Sequence, residues 1–215
     1  MPVPLVPVKA LAEAKGRLAP AVGPLQRRLL AIAMFEDVVA ALQAVPGLAA
    51  PVVVSPDREV WRRADAMGCR VVEEPPGAGD LNGALAAAAA AAGNGSPLLV
   101  VAADLPLASA AGLERVLEAA GAPVAVVPSA DGGGTNVLAW RDPATFAPSF
   151  GPDSAARHLA VPGAVRVDEP GLSLDVDTVE DLRLAAARLD PSSVTARRLR
   201  DLAMLPARPD RPEEA

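Results

Sequence analysis

Val3-Pro4-Leu5-Val6-Pro7-Val8-Lys9-Ala10-Leu11-Ala12-Glu13-Ala14-Lys15-Gly16-Arg17-Leu18 begins as an apolar run and ends as a basic loop. The run from Val3 to Val8 reads as a strand, and the two lysines after it are the only ones in the chain, against eighteen arginines. A composition rich in Ala, Gly, Pro and Arg has replaced lysine wherever arginine serves. An ammonium is a point charge on a flexible stem and suits one phosphate oxygen in a tight loop, whereas a guanidinium is a broad planar fork. The loop therefore reads as a surface phosphate grip formed by Lys9, Lys15 and Arg17, with an ordinary solvated loop as the alternative. It contains neither Gly-x-Gly-x-x-Gly nor Gly-x-x-x-x-Gly-Lys-[Ser/Thr], so the dinucleotide fingerprint and the P-loop are both absent from the place where they belong.

Outward from this strand, short apolar runs alternate with Ala- and Leu-rich stretches of helical spacing. Strands are expected at Val52 to Ser55, Arg70 to Glu73, Leu98 to Ala102, Val124 to Pro128, Thr135 to Trp140 and Ala164 to Val167. Helices are expected at Leu25 to Val45, Arg58 to Met67, Leu81 to Ala92, Ala110 to Ala120, Ser154 to Ala160 and Val179 to Leu189. Strands separated by helices of this length pair in parallel through right-handed crossovers. In such open sheets the ligand sits beyond the carboxyl ends of the strands. The pattern fits one α/β domain over residues 1–190, and 191–215 adds a helix at Val194 to Met204 and a frayed end.

Composition narrows the function. With 51% hydrophobic but 2% aromatic residues, the core must be packed with Ala, Val and Leu. No run reaches the roughly 18 apolar residues of a membrane span, and no leader pattern precedes the lysines. The expectation is a soluble, cytoplasmic protein. A net charge of −6 argues against nucleic acid as partner. Cys69, the single cysteine, reads as a small buried hydrophobe.

Five segments carry chemistry. The lysine loop is the first. Asp104 follows the strand at Leu98, where a carboxylate faces the cleft and suits Mg²⁺; capping the next helix is the alternative, although Ser109 lies nearer to it. Asp175 and Asp177 project to one face of an extended segment and form a second acidic pair, with Asp177 or Thr178 as a helix cap in the plainer reading. In Asp131-Gly132-Gly133-Gly134-Thr135-Asn136 the glycines allow close backbone approach to a ligand and Thr135 and Asn136 offer hydrogen bonds, or the segment is a flexible hairpin. It gains weight from Phe150-Gly151-Pro152-Asp153-Ser154, where Ser154 either helps to hold an anion or caps a helix. His158, the only histidine, either neutralises a bound anion or lies on the surface. Finally, Asn82 stands between a strand and a helix, where its amide can meet a base or ribose, and Asp80 can cap that helix.

In this order, Val6-Pro7-Val8-Lys9 with Ala14-Lys15-Gly16-Arg17-Leu18, Gly133-Gly134-Thr135-Asn136, Phe150-Gly151-Pro152-Asp153-Ser154 with His158, and Asp175-Val176-Asp177-Thr178-Val179-Glu180-Asp181-Leu182 resemble the 2-phospho-L-lactate and phosphoenolpyruvate guanylyltransferases of coenzyme F-420 biosynthesis. The resemblance runs from about Val3 to Leu189. It implies a nucleotide-diphospho-sugar-transferase-like α/β fold with a mixed, mainly parallel sheet flanked by helices. It also implies transfer of GMP from GTP to a small phosphorylated acid, with Lys15 and Asp104 catalytic. On matching positions Thr135, Gly151 and Ser154 would bind the acid, and Asp104 with Asp175 or Asp177 the Mg²⁺; Lys9, Lys15, Arg17 and Asn82, read above for their chemistry, would then meet the nucleotide. Gly16 stands where relatives often have Ser, and Ala130-Asp131 where they often have an arginine. A nucleotidyltransferase of the same fold with another acceptor, or a catalytically silent nucleotide-binding domain, are the competing readings. The oligomeric state is left open, with a homodimer among the alternatives.

Overall fold

The computed structural model describes residues 1–12, 14–73, 81–92 and 95–202, without the side chain of Ala120. Among these lie seven strands: β1 (Val3–Pro7), β2 (Val52–Ser55), β3 (Arg70–Glu73), β4 (Leu98–Val101), β5 (Val124–Pro128), β6 (Thr135–Trp140) and β7 (Val165–Arg166). The helices are α1 (Pro24–Gln43), α2 (Arg58–Ala66), α3 (Leu81–Ala92), α4 (Ala110–Glu118), α5 (Ser154–Leu159), α6 (Pro170–Ser173), α7 (Val179–Ala186) and α8 (Val194–Asp201). All strands form one sheet in the order β3-β2-β1-β4-β6-β5-β7. Six run in one direction, and β6 alone runs against both its neighbours.

That reversal departs from simple strand–helix alternation. A parallel return needs a crossover of a dozen or more residues, and the Ser129–Gly134 link is far too short. It closes instead as a hairpin, with Gly132 in the left-handed region at φ +79°. The short α6 was not expected from the sequence either.

Period-two alternation divides the strands between two cores. Val6, Val53, Leu99, Val101, Ala125 and Val137 pack beneath Phe35 and Val38 of α1, with Val60 of α2 and Leu113 of α4. Leu5, Val52, Val54, Val100, Val126 and Leu138 face the other way, onto Ala84, Leu85 and Ala88 of α3. Alanine on the inner face of α3 lets that helix lie close to the sheet, which answers the shortage of aromatics. Pro24 starts α1, where its missing N–H costs nothing. Cys69 is buried, and burial pushes its thiol up to about 11, in keeping with a packing role.

A third cluster joins Leu30 and Met34 of α1 to Leu18, Leu182 and Leu199. Here α8 docks on α1, and Asp37 of α1 accepts hydrogen bonds from the backbone N–H groups of Val194 (2.7 Å) and Thr195 (2.9 Å). The helix expected to reach Met204 ends at Asp201 in the described residues; Met204 and the tail beyond it lie outside them.

Candidate active site

The parallel strands β1, β2 and β4 end on one side of the sheet. Antiparallel β6 begins there. A cavity of about 870 Å³ opens at this edge, lined among others by Lys9, Lys15, Arg17, Asp104, Thr135 and Asp177. Residues from four separate segments of the chain thus meet at one place.

The loop after β1 is held by specific bonds. Val8 donates its N–H to Val54 O (2.8 Å) and Leu11 to the carboxylate of Asp57 (3.0 Å), which also caps α2 through Glu59 N–H. Lys15 adopts a left-handed conformation, φ 56° and ψ 41°, just before a 3-10 turn at Gly16–Leu18 whose Leu18 is buried. The lysine is not at the surface, as a loop position suggests: its side chain is 8% exposed, with Nζ 2.5 Å from Asp104 Oδ2 and 3.0 Å from Asp177 Oδ1. Burial pulls its pKa down, but the fields and hydrogen bonds of the two carboxylates outweigh burial and leave it raised. Lys15 is a fixed cation. Arg17 stands 3.8 Å from Asp177 and is exposed, and Lys9 is exposed on the same cavity.

Asp104, Asp175 and Asp177 offer carboxylate oxygens that all lie within 4.8 Å of one another. A backbone bond from Val176 N–H to Asp104 O (3.1 Å) staples the two acidic segments together. The helix caps are other residues: Ser109 caps α4, accepting from Gly112 N–H, and Thr178 caps α7 in a reciprocal box with Asp181. Asp104 and Asp177 are thereby left to Lys15. Asp175 is more enclosed; burial first, then the neighbouring acids Asp104 and Asp177, raise its pKa against the opposing hydrogen bond from Asn136. Hard oxygen donors so close together fit a divalent cation such as Mg²⁺.

On β6, Thr135 lines the cavity while Asn136 points to the opposite face. The Asn136 amide donates to Leu172 O, Ser173 O and Asp175 Oδ1 at 2.9 to 3.1 Å, so it fixes the segment carrying the acids. The glycine loop before β6 is ordered by Asp131, which accepts from the Ser129 hydroxyl and from Gly133 N–H, while the Ser129 oxygen accepts from Gly134 N–H.

Three expectations change at the acid end. Ser154 was read as touching a ligand or capping a helix, but Asp153 occupies the cap position and Ser154 Oγ is buried, donating to Thr135 Oγ1 at 3.1 Å. His158 is neither exposed nor charged: it is 1% exposed, and burial, then the positive Arg157, lower its pKa to about 4. Its Nδ1 lies 2.9 Å from Thr135 Oγ1 and its Nε2 accepts from Ser149 N–H at 2.9 Å. Asn82, expected on the nucleotide, pairs both ways with the Phe150 backbone, donating to its O (3.1 Å) and accepting from its N–H. Gly151 sits beside Phe150 at φ +124°, a conformation closed to other residues. Asp80, the other candidate cap for α3, lies outside the described residues. Asp57, Ser129 and the positioning bonds of Asn136 and His158 were not read from the sequence.

Residues 3–186 match the family model described as "Guanylyl transferase CofC like". The chain belongs to that family. Relatives named phosphoenolpyruvate guanylyltransferase include one from Nocardia farcinica, 44% identical over 92% of this chain and 90% of its own length. Another, from Streptomyces coelicolor, is 46% identical over 85% and 89%. A solved structure from Desulfovibrio desulfuricans G20, described as a nucleotide-diphospho-sugar transferase, superposes with a TM-score of 0.73 at 18% identity, covering 95% of this chain and 96% of that one. A nucleotidyl transferase from Methanothermobacter gives 0.63 at 22%, covering 85% and 95%. At these identities the two structures establish the fold, which is the mixed, mainly parallel sheet of nucleotide-diphospho-sugar transferases, while the family model and the relatives establish a nucleotidyltransferase of the guanylyl class.

Proposed function

We propose that this guanylyltransferase transfers GMP from GTP to phosphoenolpyruvate or 2-phospho-L-lactate in coenzyme F-420 formation, releasing pyrophosphate, and that it works in the cytoplasm. No helix among the described residues is long and apolar enough to cross a membrane. The main support is the meeting of Lys9, Lys15 and Arg17 with Asp104, Asp177 and Thr135 around one cavity, together with the names of the relatives.

In this reading a phosphate oxygen of the acid attacks the α-phosphorus of GTP, a P–O bond forms, and the bond to the β-phosphate breaks with its electrons leaving on pyrophosphate. A phosphate monoester is nucleophilic near neutral pH, so no side chain has to take a proton. The task is to bring two anions together and compensate charge. Lys15, with Lys9 and Arg17 around it, answers the triphosphate; Thr135 holds the acid, in the neighbourhood of Gly151. Asp104, Asp175 and Asp177 would hold Mg²⁺, which supplies charge neutralisation to the phosphates when bound.

The test is incubation with GTP, Mg²⁺ and, separately, phosphoenolpyruvate, 2-phospho-L-lactate or 3-phosphoglycerate, read by mass spectrometry. A guanosine-diphospho adduct with one of the first two supports the reading. Pyrophosphate release without any acid, or only with a sugar phosphate, overturns it.

A further inference from the structure

His158 is an enclosed, neutral imidazole that the chemistry above does not use, yet both of its ring nitrogens are committed. Nε2 receives the Ser149 N–H, and a backbone N–H can only donate, so Nε2 must be the unprotonated nitrogen. In a neutral ring the proton is then on Nδ1, and it points at Thr135 Oγ1, 2.9 Å away. Ser154 Oγ, 1% exposed as a residue, donates to the same oxygen. A threonine hydroxyl has two acceptor lone pairs and one proton. Both lone pairs are taken from the α5 side. What remains is the proton, and the remaining direction leads away from α5, toward the cavity that Thr135 lines.

We propose that His158 is a positioning residue: held by Ser149, it turns the Thr135 hydroxyl into an obligate donor to an anionic oxygen of the phosphorylated acid. The inference rests on the reading of this cavity as the acid's site. A hydroxyl fixed as donor welcomes a phosphate or carboxylate oxygen and rejects a group that must itself donate. Phe150, edge-on to the imidazole at 5.0 Å between ring centres, helps to keep the ring from turning over.

Two experiments separate this from the functional reading. Since His158 is the only histidine, long-range ¹H–¹⁵N spectra of the untagged chain report its tautomer without assignment. At pH 7 the Nδ1–H form is expected; an Nε2–H or doubly protonated ring overturns the proposal whatever the enzyme's substrate is. Kinetics then test the consequence. His158→Gln presents an oxygen near the Nε2 position and keeps the Ser149 bond, but loses the donor to Thr135. His158→Asn presents an amide nitrogen near the Nδ1 position. The glutamine variant should raise half-saturation for phosphoenolpyruvate roughly 3- to 10-fold through the freed hydroxyl rotor and lost polarisation, with that for GTP unchanged, and the asparagine variant should recover most of the loss. Equal rises for GTP and acid, or no rise while the parent turns over normally, refute the relay. A parent that uses no phosphorylated acid refutes the functional reading instead.

Discussion

Replacing Lys15 by Met keeps the buried stem and a Cβ, so the left-handed backbone is no worse strained, and removes only the charge. The ammonium lies between Asp104 and Asp177, and without it three carboxylates within 4.8 Å of one another lose the one buried cation paired with them among the described residues. At an effective dielectric of about 20, two such charges repel by roughly 3 to 4 kcal/mol. Asp104 and Asp177 keep 29% and 44% of their side-chain surface, so solvent screening should bring the net loss to about 1 to 3 kcal/mol. For a chain of this size that lowers the melting temperature by about 2 to 12 °C. Added Mg²⁺ would take over part of the lost compensation, so the variant should gain more melting temperature from Mg²⁺ than the parent does, while its turnover with GTP falls. The assay is a thermal melt of both proteins across a Mg²⁺ titration, beside steady-state rates. An unchanged melt in EDTA, or equal Mg²⁺ shifts in the two proteins, would refute the reasoning that Lys15 and the cation answer the same carboxylates.

Thr135→Val keeps the shape of the side chain but removes both the donor to a charged oxygen of the acid and the acceptor of His158 and Ser154, so half-saturation for the acid should rise about 10- to 150-fold, with some loss of stability and that for GTP nearly unchanged; varying each substrate separately decides it. Excess EDTA should abolish turnover, and full activity there removes the metal from the reading. Because the folded His158 pKa of about 4 lies below the unfolded value near 6.5, the neutral ring contributes stability that is present above about pH 6.5 and lost as the pH falls toward 4. Unfolding free energies from urea titrations should fall over that window by up to about 3 kcal/mol, and His158→Gln should flatten the fall; equal slopes would contradict it. Gly134→Ala would put a Cβ 2.8 Å from Ser129 Oγ and should destabilise the glycine loop by about 1 to 3 kcal/mol, readable as a lowered urea midpoint.

How far the sequence can be read depends on where each residue's partner lies. The strand positions follow from local Val and Leu runs, and Asp104, just past a buried strand, had only the cleft or the cap of α4 open to it, with Ser109 the nearer cap. The reversal of β6 was also within reach, since six residues cannot span a crossover. Lys15, Ser154 and His158 were different. Their burial depends on partners 89, 19 and 23 residues away in the chain, and no local pattern tells a loop lysine in water from one locked between two acids. Asn82 and Asn136 show the same limit: both amides suit a ligand, and both are committed to the protein's own backbone. Asn136 carried one partial hint, because adjacent residues of a regular strand face opposite sides, but the register shift between Val127 and Pro128 breaks that regularity beside it.

The bond from Asp37 to α8 bears on where the folded unit stops. Its carboxylate in the middle of α1 receives two N–H groups from Val194 and Thr195, and Leu199 closes the apolar cluster against Leu30 and Met34. A chain cut at residue 190 would keep every group that lines the cavity, yet it would strip the outer side of the helix covering the β1 core and leave Asp37 without its donors. A chain ending at Asp190 should therefore melt at a lower temperature than the full chain while keeping the same cavity lining.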